Sequence, residues 1–136
     1  MDIQAVESEG APRPIGPYSQ AVMAGGFVFS AGQIPLDPAT GNLVSGSMED
    51  QAGRVLDNLE AVLREGGTSL RRVVRLTVYL KDLADFEAVN SVLEARLKPP
   101  YPARTTVQVA SLPKGASIEI DAVAVVQGRE GVLRLS

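Results

Sequence analysis

Hydrophobic and polar positions alternate along this chain with two periods, and each period marks an element. Over Val73–Leu80 the period is two: Val74, Leu76, Val78 and Leu80 fall on one side, Arg75, Thr77 and Tyr79 on the other, which predicts a strand. Ile118–Gln127 repeats that pattern, with Ile118, Ile120, Ala122, Ala124 and Val126 on one face. Two shorter stretches, Ser19–Met23 and Phe27–Ala31, flank Gly25-Gly26 and predict a hairpin. Thr105–Ala110 is short and rich in β-formers, a further strand. The helical period appears in Ala52, Val55, Leu56, Leu59, Val62 and Leu63, after Ser47-Met48-Glu49-Asp50, where Ser47 is the expected N-cap and the acids fill the first turn. Gly66-Gly67 closes that helix. A second helix starts at Asp82 or Asp85, buries Phe86, Val89, Leu93 and Leu97, and stops at Pro99-Pro100.

The order is ββαβαββ, an α/β (α+β) two-layer sandwich with two helices on one face of a mixed sheet, expected as one domain over residues 1–136. Residues 1–12 read as a loose or pairing arm, and 128–136 as a tail. Pro35, Asp37-Pro38 and Gly41 mark a turn-rich loop, and Leu112-Pro113-Lys114-Gly115 a turn. On the sheet face away from the helices the pattern puts Val123, Val125 and Tyr79. A two-layer sheet ordinarily leaves that face wet and polar, so apolar residues there predict that another copy covers it.

Composition narrows the chemistry. Aromatic residues are 4% against 45% hydrophobic, so the core must be aliphatic. There is no Cys, His or Trp. Thiol nucleophiles, disulfides, Cys- or His-ligated metals and imidazole bases are therefore excluded, and no carboxylate run has calcium-loop spacing. Thirteen Lys+Arg against sixteen Asp+Glu give a net charge of −3, which argues against nucleic acid as the partner. Met1–Gly10 is acidic and has no apolar signal core, and no stretch has membrane-spanning length, so a cytoplasmic protein without a membrane partner is expected.

Four segments in order carry a resemblance: Ala11-Pro12 with Ile15-Gly16-Pro17-Tyr18-Ser19-Gln20-Ala21; Ala31-Gly32-Gln33-Ile34-Pro35; Tyr101-Pro102-Ala103-Arg104-Thr105; and Leu112-Pro113-Lys114-Gly115-Ala116-Ser117-Ile118-Glu119-Ile120. Gln51, Asn58-Leu59, Asp85-Phe86 and Val89-Asn90 fit between them. Together, from about Ala11 to Val125, they resemble the RidA/YjgF family of reactive intermediate deaminases, also called the UK114 or L-PSP endoribonuclease family. The resemblance implies a chorismate-mutase-like fold and a homotrimer, with the sheets lining a central barrel and ligand clefts between subunits.

Arg104 is a planar guanidinium able to grip a carboxylate with two parallel donors, although a strand-start Arg is ordinarily a solvated one. The resemblance makes it the anchor for a substrate carboxylate. Glu119, opposite in phase to Ile118 and Ile120, is implied to position the attacking water, a task a carboxylate performs by accepting its proton. Asp121 shares its face. Tyr18 is implied as a cleft wall, and Asn90 lies near the cleft or else bonds backbone. Gly32, beside Gln33, permits close approach of backbone to ligand. Backbone near Gly32 or Thr105 is a candidate contact for the substrate nitrogen. The departures bear on substrate preference. Ala31 stands where many members have Ser, Thr106 where some have Cys, and Leu93 where a Tyr is frequent. Ser30 is aimed at the other face by alternation and cannot replace the lost hydroxyl unless the strand bulges.

The implied activity is that of a 2-iminobutanoate/2-iminopropanoate deaminase. It hydrolyses 2-imino or 2-enamino acids, such as 2-aminoacrylate, to 2-keto acids and ammonia, with no metal or organic cofactor. The alternatives are a non-catalytic sensor of small carboxylates, a ribonuclease or translation inhibitor, and a holdase.

Overall fold

Six strands and two helices make up the computed structural model, which describes residues 2–126. The strands are β1 (Gln4–Val6), β2 (Ala21–Ala24), β3 (Phe27–Ser30), β4 (Val73–Leu80), β5 (Ala103–Gln108) and β6 (Ile118–Val125); the helices are α1 (Met48–Glu65) and α2 (Phe86–Arg96). They form one sheet of order β1-β2-β3-β6-β4-β5. Every neighbouring pair is antiparallel except β4 and β5, which run parallel across α2. This is the expected mixed sheet with two helices on one face, with the arm added as an edge strand.

Local chemistry explains each boundary. Gly25 and Gly26 have φ of 58° and 83°, a turn open to glycine at both positions, and they join β2 to β3. Ser47 Oγ accepts the Asp50 amide at 3.1 Å while Asp50 Oδ2 accepts the Ser47 amide at 3.4 Å, a reciprocal cap that starts α1 where the sequence places it. The core is aliphatic. Val55, Leu56, Leu59, Val62 and Leu63 of α1 meet Ile118, Ile120, Ala122 and Ala124 of β6, all buried, with Val89 and Leu93 from α2. Val6 of the arm is buried in the same cluster, so the arm is a pairing one.

Three expectations are corrected. Simple alternation puts Val74 on the helix side with Leu76, but it is exposed and Val73 is buried instead. The register shifts between Val73 and Arg75, so Val74 bulges out of the ladder and the alternation restarts beyond it. Helical spacing puts Phe86 in the buried stripe of α2, but it is 38% exposed: α2 begins at that residue, and its ring lies against Arg104 of the edge strand β5 instead of entering the core. The boundaries of β5 and β6 also move: β5 runs Ala103–Gln108 rather than from Thr105 to Ala110, since the parallel ladder with β4 begins at Arg75 opposite Ala103. β6 ends at Val125, short of Val126. Gln127 and the tail at 128–136 lie outside the described residues. Among those described, no helix is long and apolar enough to cross a membrane.

Buried Asn58 ties the loop that follows β3 to α1. Its Nδ2 donates to the Leu36 carbonyl at 2.9 Å, and its Oδ1 accepts from Arg54 Nη2 at 2.9 Å. Asn58→Ala is expected to cost about 1–3 kcal/mol, because the Leu36 carbonyl keeps its burial and loses its donor. Urea unfolding with an unchanged slope checks it, and a midpoint equal to that of the unsubstituted protein would contradict the role assigned to Asn58.

Candidate functional site

The site begins with a bulge. β3 and β6 pair as far as Phe29 opposite Val123, and the ladder resumes with Gln33 opposite Ile120. Between those pairs, Ser30, Ala31 and Gly32 stand against only Asp121 and Ala122, so the β3 side carries one extra residue. The Ser30 hydroxyl accepts the Ala122 amide at 2.9 Å, replacing a ladder bond that the bulge breaks. The chain thus has the bulge that could redirect Ser30, yet its hydroxyl is committed to holding β6.

Beyond the bulge, Gly32 lies directly against Glu119. A methyl group at Gly32 would lie 2.7 Å from the Glu119 carboxyl carbon. Only glycine lets the carboxylate rest over the backbone there. Glu119 and Gly32 share a cavity of about 250 Å³ with Tyr18 and Ala31, closed by Arg13, Ile15, Ile34 and Pro113. Four of the residues singled out in the sequence therefore come together.

Glu119 is half-buried, and its carboxyl is raised above its ordinary value, first by burial and second by the nearby charge of Asp121. Asp121 shares its face, as alternation requires, and accepts the Tyr79 hydroxyl at 2.9 Å. That bond is the main cause that raises Tyr79, followed by burial and then by the charges of Asp121 and Glu119.

Arg104 lies elsewhere. β5 pairs with β4 so that Arg104 is level with Leu76 and Thr106 with Val78, whose side chains are buried against the helices. Arg104 therefore faces the helix side, whereas Glu119, level with Tyr79, faces the other. The guanidinium carbon lies 5.3 Å from the centre of the Phe86 ring, which props it at the sheet edge. Arg104 and Asn90 line a second cavity of about 340 Å³ with Leu93, Glu94, Leu97 and Tyr101. Thr106 is on the Arg104 face, whereas Thr105 is on the open face, its hydroxyl taken by Arg75 Nη2 at 2.7 Å.

Three contributors do not stand out in the sequence. Arg13 reads there as the residue just after the arm at 1–12. Gln20 reads as one letter of a motif, but it is buried and binds the arm through four bonds. Phe86 reads as core. Only Arg13 carries a local signal, a charged residue held between two prolines.

Fold and site together define a class: a two-layer α/β domain that carries an acid in a cavity on one sheet face and a guanidinium in a cavity on the other. Residues 8–126 match the family described as Endoribonuclease L-PSP. The chain is 50% identical over 124 residues to a RutC family protein of Pyrococcus abyssi, covering 91% of this chain and 98% of that one. It is 43% identical over 122 residues to the human 2-iminobutanoate/2-iminopropanoate deaminase, covering 90% and 89%. The crystal structure of RidA from the Antarctic bacterium Psychrobacter superposes with a TM-score of 0.87 at 43% identity, covering 90% of this chain and 99% of that one. The chain belongs to this family, the RidA/YjgF proteins that its sequence resembles.

Glu119→Gln is expected to stabilise the fold at neutral pH. The folded carboxyl binds its proton more tightly than the ordinary value of 4.5, so its contribution is fully present below that value. It is lost as pH rises through the raised folded value. Urea midpoints of the two proteins should converge near about pH 4 and separate near about pH 7, where the substituted protein is the more stable. A variant less stable at neutral pH would contradict the burial of a strained charge.

Proposed function

We propose that this protein hydrolyses short 2-imino and 2-enamino acids to 2-keto acids and ammonia, as a homotrimer whose clefts are completed between copies. The observation that carries the reading is the division of the site: Arg104 and Glu119 sit on opposite faces of one sheet, each lining a cavity of its own. Both residues act on one small substrate only if Arg104 of one copy meets Glu119 of the next. The open face supports that assembly. Phe27 and Phe29 are 39% and 42% exposed there, Val123 and Val125 beside them are half-buried, and Val107 is exposed on the same face at the far edge strand, an apolar surface suited to another copy.

In this reading Arg104 anchors the carboxylate with two parallel donors and Asn90 flanks it. Glu119 accepts a proton from the water as its oxygen adds to the C=N carbon. Its raised pKa makes it a better base than an exposed carboxylate. Glu119 returns that proton to the nitrogen, and the carbinolamine expels ammonia as its hydroxyl proton moves to the leaving nitrogen and C=O forms. Uncatalysed imine hydrolysis is already quick, so holding water and carbon together supplies much of what is needed. Names among the relatives support this chemistry: the human protein and that of Dermatophagoides farinae, at 43% and 40% identity, are both called 2-iminobutanoate/2-iminopropanoate deaminase. The missing hydroxyl at Ala31 favours one rival, a sensor that binds 2-keto acids without turning them over. Ribonuclease action is disfavoured by a net charge of −3 and the absence of His.

An amino-acid dehydratase run with semicarbazide, which traps free imine, tests the reading. The protein should suppress semicarbazone formation, and Arg104→Ala and Glu119→Gln should each lose about a hundredfold or more of that activity. Mixed after co-refolding, the two inactive variants should regain part of the activity, because one cleft of a mixed trimer carries both native residues. Failure of complementation would refute the shared cleft, and keto-acid binding without turnover would establish the sensor. Phe29→Glu should dissociate the assembly, read as mass by sedimentation, and abolish activity with it.

A further inference from the structure

Among the described residues Arg13 is the single cation lining the Glu119 cavity, and nothing in the deaminase reading uses it. We propose that Arg13 is a second carboxylate-binding residue of the cleft, and that it selects imino acids with a distal carboxylate: 2-imino dicarboxylates such as those formed by oxidising acidic amino acids. The reaction rests on the function proposed above; the selectivity rests on observations of its own.

The position is built. Pro12 and Pro14 on either side of Arg13 fix their own φ, and each restricts the residue before it. The backbone is then tied to the sheet by Gln20, which is 3% exposed. Its Nε2 donates to the carbonyls of Pro12 at 2.9 Å, Ser8 at 3.1 Å and Ala11 at 3.4 Å, and its Oε1 accepts the Ser8 amide at 2.6 Å. The arm, with Arg13 directly after it, is thereby anchored beside the cleft.

The guanidinium is also available. Among the described residues the ion pairs are Arg64–Glu60 and Arg96–Asp57, neither of which involves Arg13. Arg13 lines both the Glu119 cavity and a second one that shares Tyr18 and Gln20 with it, where Glu7 and Glu9 stand and, among the described residues, make no ion pair with Arg13, so Arg13 stands between the two cavities. The rest of the Glu119 cavity wall is mostly apolar: Pro12, Pro14, Ile15, Ile34, Leu36 and Pro113. A distal carboxylate entering between those groups meets one cation, whose guanidinium offers it two parallel donors. A monocarboxylate leaves Arg13 solvated at no cost, so the gain is confined to the dicarboxylate.

The chemistry at the reacting carbon is unchanged. The water oxygen bonds to the imine carbon as one of its protons passes to Glu119, which hands that proton to the nitrogen; the C–N bond then breaks as the hydroxyl proton follows to the departing nitrogen and C=O forms. The products are a 2-keto dicarboxylate and ammonia. Arg104 holds the carboxylate next to that carbon, and Arg13 the one at the far end.

The test compares 2-iminoglutarate with 2-iminobutanoate, made in situ by amino-acid oxidases from glutamate and from 2-aminobutanoate. Calorimetric binding of 2-oxoglutarate and 2-oxobutanoate runs beside it. Arg13→Ala is expected to lower kcat/KM for 2-iminoglutarate about tenfold or more and to weaken 2-oxoglutarate similarly, with the monocarboxylates held within about twofold. Arg13→Lys should recover part of the loss. An equal loss on both imines would overturn the proposal, since Arg13 would then hold the carboxylate beside the reacting carbon. No loss on either would overturn it as well. If the native protein hydrolyses no imine, the deaminase reading fails and the binding data decide alone: Arg13-dependent preference for 2-oxoglutarate upholds the selectivity, and equal binding by both proteins overturns it.

Discussion

The alternation of side chains along β6 and β5 is the constraint from which the rest of this structure follows. On β6, Ile118, Ile120, Ala122 and Ala124 must face the helices to build the core, so Glu119 and Asp121 must face away. On β5, the register with β4 puts Arg104 level with buried Leu76, on the helix side of an edge strand. No rotamer brings those two charges together across a sheet. The same packing that makes the fold stable divides the chemistry between two faces.

That division gives the open face its meaning. In the proposed trimer, the open face with exposed Phe27, Phe29 and Val107 is the surface that another copy would cover. In that proposal, burying apolar area would drive the assembly and the assembly would bring Arg104 and Glu119 together, so stability and function would draw on one interface. Because β5 is an edge strand, Arg104 is presented at a rim rather than enclosed, and the Phe86 ring limits where its guanidinium can go.

The acid half is prepared differently. Its walls come from an N-terminal arm, a bulge and the loop after it, none of which is regular structure by itself. Each is fastened by one buried amide or hydroxyl: Gln20 holds the arm, Ser30 completes the bulge and Asn58 holds the loop. Such polar anchors are costly to leave unpaired in a core, so each imposes a single arrangement on its segment. Rigidity where the chain is irregular is what a site needs to hold a water against one carbon.

The amino-acid order alone determined much of this. The two periods predict strands and helices because burying one face demands them, and the Ser47 cap, the Gly25-Gly26 turn and the aliphatic core follow from local chemistry. The motifs around Tyr18, Gly32, Arg104 and Glu119 named the family. Local reasoning failed where a neighbour in space decided the outcome. Val74 left the core because β6 imposed a register shift, and Phe86 left it to lie against Arg104 of the edge strand. Arg13 looks like a residue just past the arm, and Gln20 like one letter of a motif, until the arm folds back onto the cleft. Only the tertiary structure could decide on which face each charge falls. Alternation gives the phase within a strand, but pairing with other strands relates one phase to the next, and pairing is a property of the whole sheet.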